Sequence, residues 1–194
     1  MMLCIISVTT LFLCLSLVYI FRQGAAKWDP GLKQFVRDWR PLVLPYTQLW
    51  INTAILLCSS ITLELARRRM AKQAEFAALG ILPYRNKTDV PWLGLTVLLG
   101  FAFLAGQLMV WNSFQQQGLF LKSNPSSSLF VILTGMHALH LTGGLIALLY
   151  AATGNWMRVR FESQQLAVTV TAWYWHFMGA LWVYLFGLLH FARG

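Results

Sequence analysis

The sequence predicts an all-α fold: a polytopic membrane helical bundle with five transmembrane helices, forming one membrane domain over residues 1–194. Three observations carry that prediction. Hydrophobic residues occupy 58% of positions, charged residues only 11%, and the mean hydropathy is +0.59, whereas an ordinary globular chain carries about 25% charged residues. The apolar residues fall into five continuous runs, each close to the ~20 helical residues that a hydrocarbon layer ~30 Å thick requires. Those runs lack period-two alternation, which argues against strands and against a lipid-facing barrel.

The first run, about residues 1–21, has no Lys or Arg before it and exceeds the ~7–15-residue core of a secretory signal, so it reads as a retained first span. The second, about 46–66, follows Pro41 and Pro45. The third, about 92–114, opens at Pro91 and Trp92, and the fourth, about 129–151, follows Pro125 and Ser126 to Ser128 and has Trp156 near its exit. Proline before a helix and tryptophan at its ends are the expected boundary markers. The fifth run covers about 166–191. Gly143, Ala147 and Ala151 recur at four-residue intervals in the fourth run, a small-residue stripe expected to face another helix or subunit. Cys4, Cys14 and Cys58 all lie in apolar runs without metal-ligand spacing and read as small apolar fillers.

The formal net charge is +9, but the basic residues lie between apolar runs rather than along one soluble face, which argues against nucleic acid as a partner. Arg67, Arg68, Arg69 and Lys72 open the longest loop, directly after the second run. Such a cluster resembles a cytoplasmic anchor on anionic lipid, where each basic residue contributes about 1 kcal/mol. The remaining Lys and Arg do not decide orientation by the positive-inside rule: Arg85, Lys87, Arg158 and Arg160 would join that cluster inside, against Arg22, Lys27, Lys33, Arg37, Arg40, Lys122 and Arg193 outside.

Polar rings at bilayer depth must face protein, a headgroup or water. His137 and His140 lie three residues apart on one helical face, and His176 sits among Trp173, Tyr174, Trp175, Phe177 and Trp182. For these histidines three readings stand open. They can hydrogen-bond a neighbouring helix, for instance Ser59, Ser60 or Thr62; they can bind a phospholipid headgroup; or they can ligate metal or haem. Haem ligation requires two rings facing each other from separate helices, which His137 and His140 on one helix do not provide. The aromatic run fits either a belt at the membrane surface or packing inside the bundle. Glu64 stands one turn from Arg67 and Arg68, and pairing with them accounts for it without a catalytic duty.

The string from Thr134 to Gly144 (TGMHALHLTGG), followed by Ala172 to Phe177 (AWYWHF), resembles the last two helices of subunit III of the haem-copper terminal oxidases. The resemblance extends to Leu49 to Thr62 (LWINTAILLCSSIT), through Asn52, Thr53, Leu56, Leu57, Ser59, Ser60 and Thr62, and more weakly to Gly100 to Gln107. It implies the short five-helix form, without the two N-terminal helices that make one wall of a lipid-filled cleft. It also implies a cytoplasmic N-terminus in the bacterial inner membrane. Three carboxylates usual in that family are replaced here, by Val8, Val110 and Gly179.

The implied function is that of a non-catalytic subunit packing against catalytic subunit I, with subunit II nearby, and holding phospholipid. Haem and copper are expected in those partners, and no cofactor or metal in this chain. An accessory subunit of a nitric oxide reductase or of a quinol oxidase is the alternative from a neighbouring class. A stand-alone transporter or haem-binding protein is a third, which uninterrupted spans without repeated halves disfavour.

Overall fold

The computed structural model describes residues 2–29, 31, 33–36, 39, 45–79, 89–116, 125–153 and 161–191. Within them the chain forms five long α-helices: α1 (Met2–Gly24), α2 (Tyr46–Ala78), α3 (Asp89–Gln116), α4 (Pro125–Thr153) and α5 (Phe161–Phe191). Pro41, Trp156, Arg37, Arg40, Arg85, Lys87, Lys122, Arg158, Arg160 and Arg193, which entered the boundary and orientation arguments, lie outside the described residues.

Proline punctuates the starts as its missing N–H requires. Pro45 stands just before α2 and its carbonyl accepts from the Gln48 and Leu49 amides, while Pro91 and Pro125 fall in the first turns of α3 and α4. Hydroxyls inside the helices bond back to carbonyls one turn earlier, as in Thr9 to Ile5, Ser16 to Phe12, Thr134 to Phe130 and Thr142 to Ala138. Such back-bonds give these hydroxyl protons a partner in an environment without water.

Two expectations are corrected. α2 runs 33 residues, about 50 Å at 1.5 Å per residue, so Arg67, Arg68, Arg69 and Lys72 lie on a helical extension and not in a loop. The connection after α1 holds a small antiparallel ribbon, β1 (Lys27–Asp29) with β2 (Gln34–Val36), where no strand was expected. Trp28 and Phe35 face each other across it, with ring centroids 5.1 Å apart, and Lys33 takes the left-handed φ of 51° that turns the chain back. Among the described residues, four helices are long and apolar enough to cross a membrane, at Met2–Gly24, Tyr46–Phe76, Trp92–Gln116 and Pro125–Thr153. The 31-residue α5 is long enough, but its histidines and polar-tipped aromatics hold its hydropathy below theirs.

α2, α3, α4 and α5 form a ring, each packing against the next and α5 closing back on α2, while α1 lies outside against α4 and the edge of α5. The interior holds Trp175, Trp182, Phe103, Phe130, Leu56, Leu141 and Leu148, all essentially inaccessible. α1 buries only Val8, Phe12, Ser16 and Tyr19, one face at helical spacing, and leaves the rest of its apolar surface outward.

The small-residue stripe on α4 divides between two surfaces. Gly143 and Ala147 are exposed, and a Cβ on Gly143 would meet nothing within 4 Å. Only Ala151 packs within the chain, its carbonyl accepting from Gln164 Nε2 at 3.2 Å. A four-residue step overshoots a 3.6-residue turn by about 40°, so the stripe winds from the outer surface at Gly143 to the interface at Ala151. Close approach occurs at Gly100 instead, where a Cβ would lie 2.9 Å from both Leu145 Cδ1 and Trp175 Cη2. Cys4, Cys14 and Cys58 are likewise exposed and fill no core.

Gly100→Ala is therefore expected to destabilise the purified protein by about 1–3 kcal/mol through overpacking, whereas Gly143→Ala should stay within about 0.5 kcal/mol. Thermal unfolding of both variants in one detergent checks the contrast.

Candidate functional site

The helical period divides the aromatic run between two environments. Trp175 and Trp182, seven residues apart on one face of α5, are buried, while Trp173 points outward and is 59% exposed. Both buried indoles donate to hydroxyls on α2: Trp175 Nε1 to Ser59 Oγ at 2.9 Å and Trp182 Nε1 to Thr53 Oγ1 at 3.0 Å. Each hydroxyl passes its own proton to a carbonyl of α2, Ser59 to Leu56 and Thr53 to Leu49. The other seams use the same chemistry. Thr62 and Thr96 join α2 to α3 at 2.8 Å, Trp111 Nε1 donates to Thr134 Oγ1 at 3.1 Å between α3 and α4, and the Tyr174 hydroxyl donates to the His140 carbonyl at 3.1 Å between α5 and α4.

The three histidines occupy three different surroundings. His137 is 0% exposed and enclosed by rings, with centroids of Trp182 at 5.2 Å, Phe103 at 6.1 Å and Phe12 at 6.3 Å. It reaches none of Ser59, Ser60 or Thr62, and its burial also removes it from contact with a headgroup. His140 is half-buried and donates through Nδ1 to the Met136 carbonyl at 2.7 Å, with Phe12 against its ring. His176 stands on the far side of α5, where its Nε2 lies 3.6 Å from Glu64 Oε2.

Glu64 gathers the charged end of the bundle. Arg67 donates to it through Nε and Nη2, both at 2.8 Å, and Arg68 through Nε at 2.7 Å, the pairing expected at one helical turn. Arg69 turns away, its guanidinium 5.0 Å above the Trp92 ring, a cation–π contact. Glu64, Arg67 and Arg68 line a pocket of about 260 Å³ with Ala172, Trp173 and His176. The sequence names most of these residues but does not bring Glu64 to Trp173 and His176, because the first lies on α2 and the other two on α5. It also missed the hydroxyl partners of the indoles, for which the seven-residue spacing of Trp175 and Trp182 was the available signal.

Val8, Val110 and Gly179 are all interior. Val8 and Val110 belong to the apolar core, and a Cβ on Gly179 would stand 3.4 Å from Ser60 Oγ. Among the described residues no group of three or more His, Cys, Asp or Glu could hold a metal ion. The Arg67 side chain is 31% exposed and makes two bonds to Glu64, whereas Arg68 is 71% exposed and makes one. Arg67→Gln is accordingly expected to cost about 1–2 kcal/mol and Arg68→Gln less than about 0.5 kcal/mol, measured by unfolding in detergent; equal losses would contradict the geometry.

Comparison with known proteins places this architecture. The family model described as cytochrome c oxidase subunit III matches residues 1–192. The chain is 33% identical over 174 residues to cytochrome c oxidase subunit 3 of Corynebacterium diphtheriae, covering 88% of this chain and 73% of that one. It is 34% identical over 102 residues to the probable cytochrome c oxidase subunit 3 of Mycobacterium tuberculosis, which is 53% of this chain and 50% of that protein. It is also 30% identical over 147 residues to cytochrome bo(3) ubiquinol oxidase subunit 3 of Pseudomonas aeruginosa, covering 76% and 64% respectively. The first curated relatives are thus matched over about half of their own length. With the family model covering almost every residue, the chain belongs to the cytochrome c oxidase subunit III family.

Proposed function

We propose that this chain is the non-catalytic third subunit of a proton-pumping haem-copper terminal oxidase in a bacterial inner membrane, with its N-terminus in the cytoplasm and α5 as a fifth span. The family match over residues 1–192 carries the reading. In it, redox chemistry at haem and copper belongs to subunits I and II, and this chain packs beside subunit I and holds lipid against it. Two features support a packing role. The outer face of α1 and that of α4 at Gly143 and Ala147 are largely apolar and exposed among the described residues, a surface suited to helices of another subunit or to lipid. The buried indoles of α5 and the Thr53 and Ser59 hydroxyls of α2 are spent on holding their own bundle together.

The lipid role is assigned to the charged end. Arg67, Arg68, Arg69 and Lys72 on the α2 extension, with Trp173 and His176 beside the pocket, provide cationic and amphipathic groups for an anionic headgroup. Glu64 offsets part of that charge, which leaves the more exposed Arg68 and Lys72 as the main contacts. The ubiquinol oxidase relative supports a second reading, in which the complex takes electrons from a quinol rather than from cytochrome c.

Deleting the chain and purifying the remaining complex should leave its haem spectrum intact while the enzyme inactivates faster during turnover; loss of a haem band would overturn the non-catalytic role. Arg68→Gln combined with Lys72→Gln should lower the anionic phospholipid that co-purifies with the complex. Unchanged lipid content would remove the headgroup site. Turnover with cytochrome c and with quinol, measured in turn, separates the two electron donors.

A further inference from the structure

Inside the four-helix ring, Asn52 Nδ2, Gln107 Nε2 and Oε1, and both ring nitrogens of His137 are buried with no hydrogen-bond partner among the described residues. The three side chains come from α2, α3 and α4, and the interhelical bonds put them at one level. The Thr62 to Thr96 bond sets the antiparallel register of α2 on α3, and the same count along both helices sets Asn52 opposite Gly106. There the Asn52 carboxamide fills the space a Cβ would need. The Trp111 to Thr134 bond sets α3 against α4 in the same manner and brings Gln107 within about one residue of His137. Phe103, one turn from Gln107 on the same face of α3, stands 6.1 Å from the His137 ring and 5.0 Å from Trp182.

The neighbouring polar groups are already committed. The Trp182 N–H is taken by Thr53, and the Thr53 hydroxyl proton by the Leu49 carbonyl. Buried polar atoms in folded proteins are almost always paired, with protein or with ordered water. A neutral imidazole offers one donor and one acceptor, a glutamine amide both kinds, and the asparagine nitrogen donors. Two amides and one imidazole make a poor metal site, having no carboxylate or thiolate, and an apolar ligand would leave all five atoms unpaired. Water donates twice and accepts twice, and so complements the set.

We propose that His137, Gln107 and Asn52 jointly hold bound water inside the ring, as a hydrogen-bonded cluster joining α2, α3 and α4. The cluster is a binding site within the bundle and stands apart from the charged end where lipid is assigned. It gives the His137 position a use for its polarity that an aromatic hydrocarbon of similar shape would lack.

The test uses the full chain in its native complex, reconstituted in lipid with 15N-labelled histidine, and solid-state NMR that follows magnetisation from water protons to ring nitrogens. His137→Phe assigns the His137 signal by its disappearance. The expected result is rapid transfer to His137 in the unmodified protein and a marked loss of that transfer in Gln107→Leu. A dry His137 ring in the unmodified protein overturns the proposal without recourse to any variant, as does a direct Gln107 to His137 bond with no transfer from water. Transfer unchanged in both Gln107→Leu and Asn52→Leu overturns the shared site equally.

Discussion

The structure depends on one constraint: a polar group at membrane depth has no bulk water to turn to, so its partner must lie inside the bundle, on another part of the protein or as enclosed water. The two indole N–H groups of α5 meet it by donating to hydroxyls on α2. These bonds close the ring of four helices, since α5 is the element that returns to α2. In lipid, apolar contact gives little preference for protein over acyl chain, so a few such bonds and close-fitting positions like Gly100 decide which helices associate. The threonine pair between α2 and α3 and the Trp111 to Thr134 bond extend the same solution around the ring.

With polarity spent inward, the helices turn many large apolar side chains outward, and the Glu64, Arg67, Arg68 and His176 group marks one end of the bundle. That division matches the role proposed for a third oxidase subunit. In that proposed role the flanks are the surface for lipid and neighbouring helices, and the end built on Glu64, Arg67, Arg68 and His176 is the surface for headgroups. α1 shows the consequence most plainly. It rests on the bundle by four buried residues, and the remainder of its surface needs cover from outside the chain.

The helices were legible because hydrophobic run length is a local property, and the Glu64 pairing was legible because its partners lie one turn away. The indole to hydroxyl bonds were not, since Ser59 and Trp175 are 116 residues apart and Thr53 and Trp182 are 129 apart. Nothing local in a sequence marks which hydroxyl an indole will meet. The small-residue stripe does not keep to one face for a geometric reason, because an interval of four is not the helical period and Gly143 and Ala151 end on different sides of α4. The histidines read as one kind of group and are three, separated by which side of α4 or α5 each occupies. The weak hydropathy of α5 arises from the same Trp, Tyr and His residues that hold the ring together.

A double-mutant cycle on Ser59 and Trp175 measures the central claim most directly. Unfolding of Ser59→Ala, Trp175→Phe and the double variant, compared in one lipid-like solvent, should give a favourable coupling of about 0.5–1.7 kcal/mol, with the double variant little worse than either single one. Strictly additive losses would mean that the indole and the hydroxyl do not bond, and that the ring is closed by packing alone.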